Sequence, residues 1–320
     1  MLTLPLNATA ALAPTIPAMA FNWTGDTAGE SSMMSDTRFH ALRSGVLSSP
    51  VSSFSFWSGS LPSHPGFSSM KSVTRLSIPL RPAQRSHSWT VGEAVLEFNK
   101  RIIDATAPHC IAFKPNLAFY ECLGVDGMAI LDKTVDYIRS NHSEQFIIAD
   151  AKRGDIGNTA RMYAKSLFET FDFDAVTLSP YMGSETVTPF LEYSGRYAIV
   201  VALSSNPSSV DFQTAEKGGK PLYQVVMEKM MEISTPENMM FVVGATKADK
   251  LKEIRQFCPD NFFLVPGVGA QGGSAEEVIA NGSNSQGGLL INSSRGVLYA
   301  SSGEDFAEAA AAVAARTAVI

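Results

Sequence analysis

The sequence predicts an α/β protein of the TIM (β/α)8 barrel class, in which an anomalous N-terminal segment replaces the first strand. From about residue 90 onward, short apolar runs alternate with amphipathic stretches, a pattern typical of repeated βα units and a parallel sheet. Glycine-rich loops follow the last two apolar runs, where barrels of this class usually bind phosphate. The alternation predicts seven strands, one fewer than a complete barrel needs.

The predicted elements follow one another in regular order. We predict strands at residues 111–114, 146–152, 175–178, 198–203, 240–244, 263–265 and 289–292. We predict helices at residues 92–105, 127–140, 158–171, 184–193, 222–233, 247–257, 275–280 and 304–315. The eighth strand should precede the first of these helices, and its expected place falls within the N-terminal segment.

Residues 1–89 differ in composition from the barrel domain predicted at residues 90–320. The segment is rich in Ser and Pro, poor in acidic residues and without a sustained period. Because Pro and Ser interrupt every short apolar run, we expect it to be disordered or incorrectly predicted from the gene. An organellar transit peptide is less favoured, since no clear Arg-rich amphipathic helix is present. The aromatic stretch at residues 52–57 is the candidate for a replacement strand.

The overall composition narrows the classes of function. A net charge of −6 argues against a broad surface for nucleic acid or anionic membranes. No apolar run approaches the roughly 20 residues of a membrane-spanning helix. The three cysteines include no Cys-x-x-Cys pair, and no His-carboxylate cluster stands out, so neither disulfides nor a metal site is predicted. We therefore expect a soluble, cytoplasmic protein.

Charged residues end two successive predicted strands. Asp150 and Lys152 follow the apolar run at residues 146–149, and strand alternation places both side chains on one side of the sheet. At the C-terminal end of a barrel strand that side faces the active site. Their spacing is equally compatible with an ordinary ion pair at the rim of a strand. Lys114 ends the preceding strand, which makes a pocket for an anionic substrate more plausible.

Further polar residues follow other strands. Asp155 and Thr159 lie in the loop and first helical turn after Lys152, while Ser204 and Ser205 form a polar turn after residue 203. Near the C-terminus, Pro266 and Gln271 belong to one glycine-rich loop, and Arg295 and Gly296 belong to the next. Glycines let backbone N–H groups approach an anion, and Arg adds a bidentate contact, so we predict a bound phosphate group. Tight turns without a ligand are the simpler explanation of either loop alone.

Taken together, the motifs resemble the orotidine 5′-phosphate decarboxylases, specifically the bacterial subgroup with an Asp-Ala-Lys-Arg-Gly-Asp-Ile-Gly core. The resemblance runs from about residue 91 to the C-terminus and includes the sequence DAKRGDIGNT at residues 150–159. It implies a homodimeric barrel that converts orotidine 5′-monophosphate to uridine 5′-monophosphate and CO2 in de novo pyrimidine biosynthesis. It also implies that no metal or organic cofactor is used.

The resemblance implies a role for each candidate residue. Lys114, Asp150 and Lys152 would form a charged network joined by Asp155 of the other subunit, with Lys152 as the proton donor. Asp155 and Thr159 would reach the ribose across the dimer interface. The remaining candidates would bind the pyrimidine edge (Ser204 or Ser205) and the phosphate (Gln271, Arg295 and the Gly296 N–H, with Pro266 opening the first phosphate loop).

The sequence departs from this family at its first strand, where we find no counterpart of the Gly-Leu-Asp ending whose Asp binds ribose. Two alternatives stay open for this reason. One is a Mg²⁺-dependent sugar-phosphate decarboxylase of the same superfamily, and the other is an inactive phosphate-binding barrel without its first strand. A Schiff-base aldolase is disfavoured, because Lys152 beside two carboxylates should stay protonated.

Overall fold

The structure is a computed structural model that describes residues 55–59, 71–75, 90–268 and 273–318, with side chains in the last two ranges. The strands are β1 (Ser55–Gly59), β2 (Lys71–Arg75), β3 (Ala112–Phe113), β4 (Phe146–Arg153), β5 (Ala175–Leu178), β6 (Tyr197–Leu203), β7 (Glu216–Lys217), β8 (Lys220–Pro221), β9 (Met239–Val243), β10 (Phe262–Pro266) and β11 (Leu289–Ser293). The α-helices are α1 (Val91–Thr106), α2 (Ala118–Glu121), α3 (Gly124–Asn141), α4 (Gly157–Lys165), α5 (Thr188–Leu191), α6 (Leu222–Met231), α7 (Ala248–Phe257), α8 (Ala275–Gly282), α9 (Arg295–Leu298) and α10 (Phe306–Ala318).

Seven parallel strands form the central sheet, in the order β3-β4-β5-β6-β9-β10-β11. Each strand pairs with the next strand of the series along the chain, and helices make the crossovers, as in a barrel of βα units. All seven correspond to strands predicted from the sequence. Their residues are mostly buried on both faces, which explains why they are continuous apolar runs rather than alternating ones. The predicted α/β barrel class is confirmed.

Two short strands from the N-terminal segment extend the sheet beyond β11. β1 runs antiparallel to β11, with Trp57 opposite Asn292, and it also pairs with β2. β2 meets β11 through a parallel bridge between Thr74 and Ser293. Cα atoms of both strands come within 8 Å of Cα atoms of β3, so they lie where the first barrel strand is missing. Both strands belong to the segment for which disorder is expected, and that expectation stays a prediction, as does the domain boundary at residue 89.

Local sequence explains where α1 begins. α1 starts with a capping box: the Thr90 hydroxyl accepts from the Glu93 amide at 3.2 Å, and the Glu93 carboxylate accepts from the Thr90 amide at 2.8 Å. The apolar face of α1 packs on the sheet and on α10, where the rings of Phe98 and Phe306 stack with centroids 4.9 Å apart. The first and last helices are thus neighbours, and α10 also lies beside β2.

Some short elements carry weak sequence signals and were not predicted. α2 and α9 are single turns of helix after strands β3 and β11. β7 and β8 form a small hairpin whose two-residue turn consists of Gly218 and Gly219, with φ of 64° and 78°. In the described part of the chain, no helix combines the length and apolarity needed to cross a membrane.

Candidate active site

Asp150 is the centre of a charged network at the C-terminal end of β4. One carboxylate oxygen, Oδ2, accepts from the Lys114 ammonium group, and the other, Oδ1, accepts from the Lys152 ammonium group. Asp150 and Lys114 are only 8% and 4% exposed, whereas the Lys152 side chain is 56% exposed. The three candidates predicted from two successive strands therefore meet, and Lys152 is the member that reaches the open end of the barrel.

Two neutral side chains complete the surroundings of this carboxylate. Asn116 Nδ2 donates to Oδ2 of Asp150 at 3.2 Å, and the Thr177 hydroxyl lies 3.3 Å from Oδ1. Sequence reasoning missed both residues, although Asn116 follows Lys114 closely and Thr177 is a polar residue inside an apolar strand. With two ammonium groups and one carboxylate, the network carries an excess of positive charge that would attract an anionic substrate.

The pKa of Asp150 reflects two opposed effects. Burial alone would raise the pKa, because it penalises the charged form of the carboxyl group. The charges of Lys114 and Lys152, and the hydrogen bonds from their ammonium groups, outweigh burial and hold the pKa well below its usual range. Asp150 is therefore an anion at neutral pH, which keeps both ammonium groups beside it.

The backbone at Lys152 has an unusual conformation that Thr177 supports. Lys152 has a φ of 47°, in the left-handed region that residues with a Cβ atom rarely adopt. The Thr177 hydroxyl oxygen accepts from the backbone amides of both Ala151 and Lys152, each at 3.0 Å. Strain of this kind is often found at functional sites, where the surrounding structure stabilises it. Thr177 thus links the position of Lys152 to that of Asp150.

Asp155 and Thr159 lie at the start of α4, away from the network. The Asp155 carboxylate accepts from the Ile156 amide at 2.8 Å, and Thr159 is exposed in the first turn of the helix. Within the described part of the chain, no ion pair within 4 Å joins Asp155 to the network. Both residues are thus available to a second molecule, as the resemblance implies, but the structure does not bring them to the network of their own chain.

Ser204 and Ser205 follow β6 in a well-connected loop. The backbone amide of Ser204 donates to Gln213 Oε1 at 2.7 Å, and Gln213 Nε2 donates to the Ser204 hydroxyl at 2.9 Å. A Cβ atom at Gly244 would lie 2.6 Å from the Ser205 backbone nitrogen, so only glycine fits beside this turn. Gln213, which sequence reasoning missed, therefore holds Ser204 in position from nine residues away.

The two predicted phosphate loops follow β10 and β11. Pro266 is the last residue of β10, and Gly267 has a φ of 100° that favours glycine. Val268 and Gly273 form a bridge across the base of this loop, and the predicted phosphate ligand Gln271 lies outside the described residues. The loop is therefore narrow at its base.

Arg295 and Gly296 open the single helical turn α9, and both are exposed. The first backbone N–H groups of a helix have no partner within it, so the Gly296 amide is open to a ligand. A Cβ atom at Gly296 would meet nothing closer than 3.6 Å, the distance to the Ser293 hydroxyl. Among all the residues that the structure describes, no group of three or more His, Cys, Asp or Glu side chains is arranged to hold a metal ion.

Comparison with known proteins identifies the family. The family described as "Orotidine 5′-phosphate decarboxylase / HUMPS family" matches residues 94–312, more than half of the chain. The chain belongs to this family. The match begins within α1 and ends within α10, so β1 and β2 lie outside it.

Individual relatives support the same assignment. A protein of Phocaeicola vulgatus named orotidine 5′-phosphate decarboxylase is 55% identical over 219 residues, covering 68% of this chain and 80% of that protein. One of the same name from Christiangramia forsetii is 54% identical over 222 residues, covering 69% and 82%. Leishmania donovani OMP decarboxylase is 34% identical in the aligned structures, with a TM-score of 0.64 and coverage of 72% and 88%. The structure from Methanocaldococcus jannaschii, at 20% identity and a TM-score of 0.54, supports the fold alone.

Proposed function

We propose that this chain decarboxylates orotidine 5′-monophosphate to uridine 5′-monophosphate and CO2, the step named by its relatives, with Lys152 as the proton donor. The observation that carries the proposal is the network of Lys114, Asp150 and Lys152 at the end of β4. Two relatives that are 55% and 54% identical to the chain, over 219 and 222 residues, are named orotidine 5′-phosphate decarboxylase. The proposed reaction belongs to de novo pyrimidine biosynthesis.

The network fits the charge changes of the reaction. The bond between the pyrimidine carbon and its carboxylate breaks, CO2 leaves, and the electron pair of the bond stays on the ring carbon. An ammonium group placed beside that carbon stabilises the developing negative charge and then donates the proton that replaces CO2. Lys152 suits this role because its ammonium group is held by Asp150 yet reaches the open end of the barrel. Asp150 would lie near the substrate carboxylate, and Lys114 keeps Asp150 ionised.

The other candidate residues are assigned to the remaining parts of the nucleotide. Ser204 or Ser205 would contact the pyrimidine edge. Both residues follow the end of β6, and a hydrogen bond to Gln213 holds Ser204 in place. Arg295 and the Gly296 amide would bind the phosphate together with Gln271 and the loop that Pro266 opens. Binding energy from the phosphate, distant from the reacting carbon, can be used to orient the base and to close loops over it.

We further propose a homodimer in which Asp155 and Thr159 contact the ribose in the partner's site. The support is a set of exposed apolar side chains on α4 and in the loop after β5: Met162 is 61%, Tyr181 83% and Met182 54% exposed. Large apolar side chains exposed on a surface often mark a protein interface. The acidic composition and the absence of a Cys-x-x-Cys pair support the further prediction of a cytoplasmic protein.

The deciding assay follows the absorbance of orotidine 5′-monophosphate with the purified full chain, with and without EDTA. We expect turnover that EDTA leaves unchanged. Turnover that EDTA abolishes would favour the Mg²⁺-dependent sugar-phosphate decarboxylases, for which 3-keto-gulonate 6-phosphate is the substrate to compare. A folded dimer without turnover would refute the proposed activity and favour an inactive phosphate-binding barrel.

A further inference from the structure

Asn292, on β11, has a buried polar atom without a partner. The residue is 4% exposed, and its Oδ1 makes no hydrogen bond to any described residue. A buried acceptor left unsatisfied lowers stability, so such groups are uncommon in native proteins and require an explanation. The three β11 residues that precede Asn292 are buried and apolar, so a buried amide is unusual in this strand.

The register of the sheet places the Asn292 side chain on the interior face of the barrel. Asp150 and Thr177 share that face, because their side chains are in contact. Side chains of residues that pair between neighbouring strands point to the same side of the sheet. Along one strand, every second side chain points to that same side. From Thr177, the pairs lead to Ile199 on β6, to Met240 on β9 and to Phe262 on β10. Alternation along β10 keeps Leu264 and Pro266 on the same side as Phe262. Pro266 pairs with Asn292 on β11, so Asn292 shares the face of Thr177.

Asn292 also lies directly beside the two phosphate loops. It pairs with Pro266, which opens the first loop, and it precedes Arg295 and Gly296 of the second by three and four residues. In a nucleoside 5′-phosphate, the sugar connects the phosphate to the base. A side chain that lies below the phosphate loops and faces the interior therefore meets the sugar first. The sugar hydroxyls can donate hydrogen bonds, and an unpartnered amide oxygen can accept one of them.

We propose that Asn292 is a nucleotide-binding residue whose Oδ1 accepts a hydrogen bond from a ribose hydroxyl group. The inference rests on the proposed function, because it assumes a nucleoside 5′-phosphate with its phosphate at Arg295 and Gly296. The unsatisfied acceptor is then a binding group that lowers the stability of the unliganded chain. The N–H group of the pyrimidine ring is an alternative donor to Oδ1. The experiment below distinguishes a bond from a ribose hydroxyl from a bond from this N–H group.

The test measures binding of three nucleotides by isothermal titration calorimetry: uridine 5′-monophosphate and its 2′-deoxy and 3′-deoxy analogues. Asn292→Leu keeps the approximate volume of the side chain and removes the acceptor. We expect it to weaken binding of uridine 5′-monophosphate about tenfold, the size of one well-placed hydrogen bond. For the analogue that lacks the contacted hydroxyl, we expect parent and variant to differ less than about twofold. Asn292→Ala, which adds no volume, should give the same pattern.

A matched control is available in Asn99, on α1. It is also fully buried with Oδ1 unpartnered among the described residues, but its Nδ2 donates to Tyr120 and Thr134 at 3.2 Å, between helices. Asn99→Leu should lower the urea midpoint of unfolding and leave nucleotide affinity unchanged. Asn292→Leu should weaken nucleotide binding without lowering that midpoint, a combination that a merely structural role would not produce.

Three results would overturn the assignment. Equal weakening of all three nucleotides would place the contact at the base or make Asn292 a packing residue, and unchanged affinity for all three would remove it from the site. Absence of uridine 5′-monophosphate binding by the parent chain would also overturn it. A parent chain that binds this nucleotide through Asn292 but does not turn over orotidine 5′-monophosphate would refute only the proposed activity.

Discussion

The C-terminal ends of β4 and β11 differ in how their polar groups are satisfied. At β4, the Asp150 carboxylate has four side-chain partners within its own chain. At β11, the Asn292 acceptor has no partner among the described residues, and Arg295 is exposed. The first arrangement is organised before any substrate binds, which is what electrostatic stabilisation of a transition state requires. The second leaves its polar groups to be satisfied by a ligand, so substitutions at the two ends should have different consequences.

The largest expected effect is on the rate of the reaction at the β4 end. Lys152→Ala removes the proposed proton donor and should lower kcat about 10³-fold, within the range of general acid catalysis. Binding of uridine 5′-monophosphate should change little in comparison. Steady-state kinetics and calorimetry measure the two quantities. Lys165→Ala, an exposed lysine on α4, is the control and should leave both unchanged. A near-normal rate for Lys152→Ala would contradict its role.

The next largest effect is on stability. Asp150→Asn leaves two ammonium groups beside an uncharged partner, and breaking a buried ion pair in this way costs about 3–5 kcal/mol. Because the Lys152 side chain is more than half exposed, we expect the lower end of that range. The free energy of unfolding in urea measures it. Glu253→Gln, which breaks the exposed pair with Lys250, should have a far smaller effect.

The pH dependence of this effect follows from the direction of the Asp150 pKa. The pKa is lower in the folded chain than the ordinary value of about 3.9 in an unfolded one, so ionised Asp150 stabilises the fold above that value. The difference in unfolding free energy between parent and Asp150→Asn should be constant from about pH 5 to 8 and should shrink below about pH 4. A difference that already shrinks near neutral pH would mean that burial, and not the lysines, dominates the pKa.

At the β11 end, we expect loss of binding without loss of stability. Arg295→Ala should weaken binding of uridine 5′-monophosphate by about tenfold or more, since hydrogen bonds to charged groups contribute about 1.5–3 kcal/mol. Binding of uridine, which lacks the phosphate, should be unchanged by the substitution. The urea midpoint should match that of Lys252→Ala, an exposed control on α7. If Arg295→Ala weakens binding of uridine and of uridine 5′-monophosphate equally, Arg295 does not contact the phosphate.

The smallest effect tests how Thr177 organises the β4 end. Thr177→Val keeps the shape of the side chain but removes the oxygen that accepts from the Ala151 and Lys152 amides. We expect a loss of about 1–3 kcal/mol in unfolding free energy and a decrease of a few fold in kcat. Thr177→Ser retains the hydroxyl and should retain most of the rate. If Thr177→Val and Thr177→Ser lower kcat equally, the hydroxyl does not position Lys152.

The sequence alone determined the features that depend on local backbone properties. Alternation along β4 predicted Asp150 and Lys152 on one side, and the order of the strands predicted Lys114 near them; the structure pairs both lysines with Asp150. The strand and helix positions followed from apolar periodicity, which each segment carries by itself. The place of Arg295 and Gly296 after the last strand indicated a phosphate site, whereas the role of Ser204 came from the family resemblance.

Only the tertiary structure decided which side chains satisfy one another. Asn116 and Thr177 reach Asp150 because of the register between strands, and the left-handed backbone at Lys152 depends on the hydroxyl of a neighbouring strand. The pairing of β1 and β2 beside β11 is likewise long-range, since their own composition indicates no packed core. The unpartnered oxygen of Asn292 is defined by everything that surrounds it, and for that reason a single residue in an apolar strand gave no sign of it.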